Sequence, residues 1–572
     1  MKNIFRSYSF LAVLLGLILA VTVRVSYFSN NSTNGYNATT WDALGYYMYL
    51  PGVFIYQDVK ELKWLPKVDS KYQVSGGSLY QANQLENGNF AFKYLAGVAI
   101  LELPFFAIGH LCAYLSGEPM DGFSWPYQYA ILWGAIFWFF LGLLVLRKVL
   151  LQYYSESITT LTLLLLVFGT NLIQYVSVDG AMSHSYIFPL YAFVLWWTIR
   201  WHETFSRKYA FLIGLTIGIA TISRPTELIM LFIPLLWSLD NSGKLAEKWK
   251  MTRLHYSHVF IAISGGIIGI LPQLIYWKHA TGSWIYDVGS KWNFLNPWWR
   301  VLFGFEKGWF VYTPITIFMI LGLFFIKTKP FRKAVIVFII LNLWIILSWS
   351  DWRYGASYSV RALIQSYPIF ALALAAFLDY FYKRKVRYLI VFMGVLLCSV
   401  NLIQIEQYNS TVLHYDHMNR KYYAAIFLNT RPEPLDYSLL DTDEQLPNDL
   451  LEQSNVNSKT FQQKEVSADL TKSTIIGSLH IKNETWLATK CQFTSSLGLK
   501  SGNLAILAFK DGKVLKEKHF RFAVPFAADQ INMSYENHFS VPEKSDSVIW
   551  KMESFDHIKI PSLTLTIKQY IR

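Results

Sequence analysis

Apolar residues come in long unbroken runs along most of this chain, with polar residues in short clusters between them. The runs fall at 8–28, 94–115, 128–146, 159–178, 185–199, 209–222, 226–239, 257–277, 310–326, 334–350, 362–381 and 388–405. A helix of about 20 apolar residues is long enough to cross hydrocarbon, so the pattern predicts a polytopic α-helical membrane protein. The pattern changes near residue 430. Pro432, Pro434 and the polar stretch 439–458 read as a linker. Short alternating segments follow at 474–481, 503–510, 514–522, 531–541, 547–552 and 562–570. Asp511-Gly512 between two of them is a hairpin turn signal. The period of two predicts an antiparallel β-sandwich. The expected organisation is a membrane domain over 1–405, whose first outer loop (29–127) holds juxtamembrane helices, then a linker over 406–458 and a β-sandwich over 459–572. No internal repeat or low-complexity tract is present.

Composition agrees with this pattern. The 572 residues are 53% hydrophobic and only 16% charged, too apolar for a soluble protein of this size. The first run follows Lys2 and Arg6, as a signal peptide would. Arg24 and Tyr27 stand where a cleavage site needs small residues, so an uncleaved first helix is expected. A net charge of +13 would suggest nucleic acid in a soluble chain. Here Lys and Arg cluster in the connectors 147–148, 200–208, 244–253, 327–333 and 383–387, so membrane lipids are the expected partner and nucleic acid is not. The positive-inside rule puts these connectors, with Lys2 and Arg6, in the cytoplasm. The alternation then fails if every run crosses. It is restored if 94–115 does not cross. That run carries Glu102, Pro104 and His110, and a charge facing lipid costs about 3 kcal/mol. Two readings stand: a re-entrant or juxtamembrane helix on the outer face, or an ordinary crossing helix with a buried Glu. The first gives about eleven crossings, the N-terminus inside and the C-terminal domain outside.

Cys112, Cys398 and Cys491 are far apart and match no zinc or redox spacing. There is no Walker loop, dinucleotide fingerprint, HExxH or GxSxG. No cofactor is expected, and a divalent metal stays open. The unusual polar residues collect at the outer end. Asp42 is the only charge in TTWDALGYYMYLPG, among Trp41, Tyr46 and Tyr47. It either caps the helix that follows or acts as a general base, whose pKa an aromatic, poorly solvated bed would raise. Asp179 and His184 lie in VDGAMSHS, as further catalytic residues or as a cap and a satisfied interface histidine. Lys93 lies in the first outer loop, Arg224 in SRPTE, and Arg353 and Arg361 in WSDWRYGASYSVR. Outer arginines run against the charge bias. Each pairs with a nearby acid or snorkels, or together they share an anionic ligand such as a membrane-surface phosphate. Trp292 and Trp298, in KWNFLNPWWR, are expected to stack on sugar rings beside Trp41, Tyr46 and Tyr47.

These segments resemble the GT-C superfamily of membrane glycosyltransferases, in the branch related to protein O-mannosyltransferases and lipid A aminoarabinose transferases. The match is carried by WDALGYY after the first helix, FKYLAGVAILELPFF, VSVDGAMSHS, ISRPTELI and the large aromatic outer loop. Bacterial members with RKGWFVYTP-like and WWYGxxxGxR-like segments are similar to EKGWFVYTP and DWRYGASYSVR here. The likeness covers roughly 1–405. It implies a polyprenyl-phosphate-linked sugar as donor, a glycan, lipid or protein acceptor, and transfer on the outer face of a bacterial inner membrane. It implies the catalytic acid at Asp42 and donor-phosphate contacts at Lys93, Arg224 and Arg361. The aminoarabinose transferases carry a DExRY-like motif where this chain has Gly45 and Tyr46. The protein O-mannosyltransferases carry an acidic pair where this chain has one acid. A transporter or flippase for lipid-linked sugars would use the same cations without a base. A non-catalytic membrane scaffold is the third reading.

Overall fold

The computed structural model describes residues 7–30, 38–239, 242–327, 329–452, 456–464, 466–468, 473–482, 485–494, 502–521, 532–553 and 558–571. Lys2 and Arg6 lie outside the described residues, as do Phe522 and Ile531 at two expected strand ends. The chain divides into two compact units, Met1–Leu402 and Ile403–Arg572.

The first unit is helical. Its helices are α1 (Tyr8–Asn30), α2 (Asp42–Tyr47), α3 (Tyr49–Phe54), α4 (Leu65–Tyr72), α5 (Gly97–Ser116), α6 (Trp125–Leu151), α7 (Glu156–Phe168), α8 (Leu172–Ser177) and α9 (Ser183–Thr204). There follow α10 (Arg207–Thr221), α11 (Phe232–Leu236), α12 (Ser242–Leu254), α13 (Tyr256–Thr281), α14 (Arg300–Phe303) and α15 (Trp309–Tyr312). The last are α16 (Thr316–Gly322), α17 (Arg332–Ser348), α18 (Tyr367–Tyr382) and α19 (Arg387–Asn409). A hairpin of β1 (Ala82–Gln84) and β2 (Phe90–Phe92) sits in the long loop before α5. Among the described residues, six helices are long and apolar enough to cross a membrane: α1, α5, α6, α13, the stretch Arg361–Tyr382 and α19. The other expected crossings are shorter or broken. Pro225 opens a 3-10 helix, Pro225–Leu231, ahead of α11. Pro314, which has no N–H to donate, separates α15 from α16.

The basic connectors gather at one end. Ser9 Oγ donates to Glu156 at 2.7 Å and accepts from Arg147 Nε at 2.6 Å, so the start of α1 meets the α6–α7 connector. Lys329 Nζ donates to the Tyr153 carbonyl at 2.7 Å, and the Ser238 amide to the Pro330 carbonyl at 2.7 Å. Lys248 Nζ donates to the Trp237 carbonyl, and His255, after α12, stacks on Phe205 at 4.6 Å between ring centroids. Four of the basic clusters read from sequence thus share one end with the first turn of α1.

Helix α5 starts well away from that end. Its first amide, Gly97, donates to the Ile222 carbonyl at 2.7 Å, and Ala96 N–H donates to Gln273 Oε1 at 2.8 Å. Leu101 accepts from Trp138 Nε1 at 3.0 Å, and Gly109 packs on Tyr127, so α5 runs antiparallel to the first half of α6. The chain leaving α5 packs on α3, where a Cβ on Gly122 would fall 2.8 Å from Pro51. Pro104 does not break the helix. Glu102 is fully buried in protein, so the lipid penalty used against a crossing does not arise.

The second unit holds α20 (Arg420–Ile426), α21 (Pro434–Ser438), α22 (Asn448–Leu451), and ten strands: β3 (Asn457–Gln463), β4 (Val466–Ala468), β5 (Thr474–His480), β6 (Thr485–Thr494), β7 (Asn503–Lys510), β8 (Lys513–Arg521), β9 (Asn532–Ser540), β10 (Ser547–Glu553), β11 (Ile558–Ile560) and β12 (Ser562–Ile571). Two four-stranded antiparallel sheets form, β5-β10-β7-β8 and β3-β12-β6-β9. Their inner faces share one core, where Trp550 Nε1 donates to Thr489 Oγ1 at 3.2 Å across the sandwich. Asp511 (φ 50) and Gly512 (φ 74) make the expected tight turn between β7 and β8. The stretch expected as a linker carries short helices and is tied to β8: Asp441 pairs with Arg521, and Glu444 with Lys516 and Lys518.

Candidate functional site

Asp42 is the first residue of α2, and its carboxylate caps nothing. Oδ2 accepts from Arg361 Nη2 at 2.6 Å, while Oδ1 accepts from Tyr94 OH at 2.6 Å and Tyr80 OH at 2.7 Å. Local sequence explains the placement. Trp41 takes a left-handed backbone (φ 54) that turns the chain into α2. Gly45 lets Tyr94 lie flat against the helix, because a Cβ there would stand 2.1 Å from the ring. Arg361 opens a 3-10 helix, Arg361–Ser366, that runs into α18. The preceding loop is buckled by Lys307, 1% exposed, whose Nζ donates to the carbonyls of Gly355 at 2.9 Å and Ser357 at 3.1 Å. This lysine joins EKGWFVYTP to DWRYGASYSVR.

The electrostatics depart from the expectation of a raised carboxylate. Burial pushes the Asp42 carboxyl upward, but the Arg361 charge and the two phenols outweigh it and hold it below the usual range. The phenols of Tyr80 and Tyr94 move up, through burial and the Asp42 charge. The aromatic residues that reach Asp42 are Tyr80 and Tyr94, not the expected Trp41 and Tyr47, and they do so through their hydroxyls, which favour the charged form.

Asp179 also caps nothing. Met182 precedes α9 as its N-cap, and Asp179 Oδ2 accepts from Gln174 Nε2 at 3.1 Å. Burial moves the Asp179 carboxyl up, against the pull of Gln174, Arg361 and Arg24. Arg24 is a buried arginine of α1 that packs against Gly180. His184 Nδ1 lies 2.9 Å from Gln365 Oε1, and its ring meets Tyr175 edge-on. Lys93 and Arg224 are half-buried, and neither side chain has an ion pair or hydrogen bond among the described residues. The Gly97–Ile222 hydrogen bond draws their two segments together. The Arg224 charge acts on Tyr46, whose ring meets Tyr94 at 4.8 Å.

Other expected residues lie elsewhere. Tyr47 is fully buried and donates to the Gly122 carbonyl, in the core beneath α2. Trp41 is 59% exposed, with its ring over Gly76. Arg353 pairs with Glu306 at 3.2 Å. Trp298 lies under Arg300 with Trp352, and Trp292 bridges to Trp349. Among the described residues no hydrogen bond, ion pair or ring contact joins this second cluster to Asp42. Sequence reading missed Tyr80, Tyr94, Arg24, Glu227 and Gln365. Arg24 and Glu227, each a charged residue inside an apolar run, were the two with a signal of their own. Among the described residues no three His, Cys, Asp or Glu gather as metal ligands.

No family model and no curated protein matches the chain. Among solved structures it is similar to the oligosaccharyltransferase of Archaeoglobus fulgidus, at a TM-score of 0.40 and 11% identity over 73% of this chain and 54% of that one. It is also similar to arabinosyltransferase EmbB from Mycobacterium smegmatis, at a TM-score of 0.26 and 12% identity over 78% of this chain and 57% of that one. The match spans little more than half the length of either protein.

Proposed function

We propose that this protein is an integral-membrane glycosyltransferase that moves a hexose or pentose from a polyprenyl-phosphate donor to an acceptor hydroxyl, with inversion. One observation carries the reading: a carboxylate held by an arginine and two phenols, beside two half-buried cations whose side chains make no ion pair or hydrogen bond among the described residues. The acceptor oxygen attacks the anomeric carbon and gives its proton to Asp42. The bond from that carbon to the phosphate oxygen breaks, and polyprenyl phosphate leaves from the opposite face with the electron pair. Lys93 and Arg224 offset the charge that grows on the phosphate. Asp42 is a weak base. It suffices if the carbon–oxygen bond breaks early, since an attacking hydroxyl becomes acidic as it bonds to a cationic carbon. Exposed Trp41 offers a face for a sugar ring.

The gathering of basic connectors opposite this site supports a bacterial inner-membrane protein with its N-terminus inside and its site and β-unit outside. The start of α5 at the site end, where Gly97 N–H meets the Ile222 carbonyl, supports a juxtamembrane role for it, which with the positive-inside alternation corresponds to about eleven crossings. The acceptor is a glycan, lipid or protein hydroxyl.

Asp42→Asn tests the reading in detergent, with sugar transfer and donor affinity measured together. Turnover should fall by about a hundredfold or more with donor binding largely kept. Near-full turnover would sink the catalytic assignment and make transport of a lipid-linked sugar the better reading.

A further inference from the structure

Beneath the Asp42–Arg361 pair lies a buried chain of polar side chains that the mechanism above does not use. Tyr191 on α9 donates its hydroxyl to Glu227 Oε2, in the 3-10 helix Pro225–Leu231. Glu227 Oε1 accepts from Gln365 Nε2 at 3.1 Å and from Thr226 Oγ1 at 3.4 Å. Gln365 Oε1 then lies 2.9 Å from His184 Nδ1. Glu227, Gln365, Tyr191 and His184 are each 3% exposed or less.

Donors and acceptors along this chain can be matched in two ways. With Glu227 ionised, the Gln365 amide donates to it and turns its oxygen to His184. Nδ1 must then carry the imidazole proton, and Nε2 is left as an acceptor. With a proton on Glu227 the amide turns over, Nδ1 becomes the acceptor and Nε2 the donor. Three donors, from Tyr191, Thr226 and Gln365, converge on the Glu227 carboxylate oxygens, which is the hydrogen-bond pattern of the first arrangement. His184 Nε2 has no partner among the described residues, and both Arg224 and Arg361 act on the ring.

We propose that Glu227 and Gln365 are positioning residues that hold His184 as its Nδ1–H tautomer, so that Nε2 accepts a hydrogen bond from a hydroxyl of the bound sugar or acceptor beside Arg224 and Arg361. That role for Nε2 rests on the glycosyltransferase reading. The tautomer does not, and it is measured separately.

The experiment is 15N NMR of histidine-labelled full-length protein in nanodiscs, with His184→Asn to assign the signal. Wild type should show a protonated Nδ1 and a bare Nε2. In Glu227→Gln, the new side-chain amide keeps Tyr191 as a donor but offers an N–H to Gln365. The Gln365 amide turns over, and the imidazole proton should move to Nε2. Tyr191→Phe removes a donor without supplying one and should leave the tautomer unchanged. A wild type with Nε2 protonated, or a Glu227→Gln tautomer like wild type, overturns the proposal. Kinetics add the second arm. Glu227→Gln should lower kcat by about tenfold or more while the donor KM holds or falls, since Arg224 loses a counter-charge. A rise in KM at constant kcat would show that the chain only shapes the donor site. If wild type transfers no sugar from any polyprenyl-phosphate donor, the glycosyltransferase reading fails while the tautomer result still stands or falls alone.

Discussion

At the scale of a residue, the Asp42 carboxyl lies below its ordinary range because Arg361, Tyr94 and Tyr80 together outweigh its burial. The folded chain therefore binds this proton less readily than the unfolded one. The stabilisation is fully present above the unfolded value, about 3.9, and is lost as pH falls through the lower folded value. Turnover should be flat with respect to this group between about pH 5 and 8. A pH–rate profile checks this. An acid limb centred above about pH 6 would point to a buried carboxyl other than Asp42, such as Asp179, which burial drives upward. Arg361 is harder to test by deletion. Removing one partner of a buried pair costs about 3–5 kcal/mol, so Arg361→Lys is the better kinetic variant.

At the scale of an element, α2 works because one of its faces is nearly bare. Gly45 gives Tyr94 its place, and Tyr94 in turn reaches Asp42. Gly45→Ala should displace the ring, cost about 1–3 kcal/mol in thermal unfolding, and lower turnover further than Tyr94→Phe does. Tyr94→Phe keeps the ring and loses only the hydroxyl. Equal turnover in the two variants, with unchanged melting, would mean that the close approach has no role in placing the carboxylate. Residues 42–47 read as a helix start from sequence, but the reason for Gly45 did not, because Tyr94 comes from a segment far along the chain.

At the scale of the whole first unit, the contacts among basic connectors set one end against the other. With Cys112, Cys398 and Cys491 replaced, single cysteines at Ser116 and Ser283 should react in intact cells with an impermeant thiol reagent. One at Thr204, which ends α9 at the basic end, should not. Labelling at Ser283 with protection at Ser116 would mean that α5 crosses after all.

Apolar run length, basic clusters and the two-residue alternation after about 470 depend on local chain properties. Burial in hydrocarbon or in a sandwich imposes those periods on any sequence that folds this way. The helical unit, the sheets and the Asp511-Gly512 turn were therefore legible in order along the chain. The partners of Asp42 were not. Tyr80, Tyr94 and Arg361 reach it from segments 38 to 319 residues away. No periodicity records a contact of that separation, and the sign of a pKa shift depends on whether a neighbouring ring presents its face or its hydroxyl. Glu102 shows the same limit: its cost in lipid could be calculated from sequence, but only packing against protein decided that it does not meet lipid.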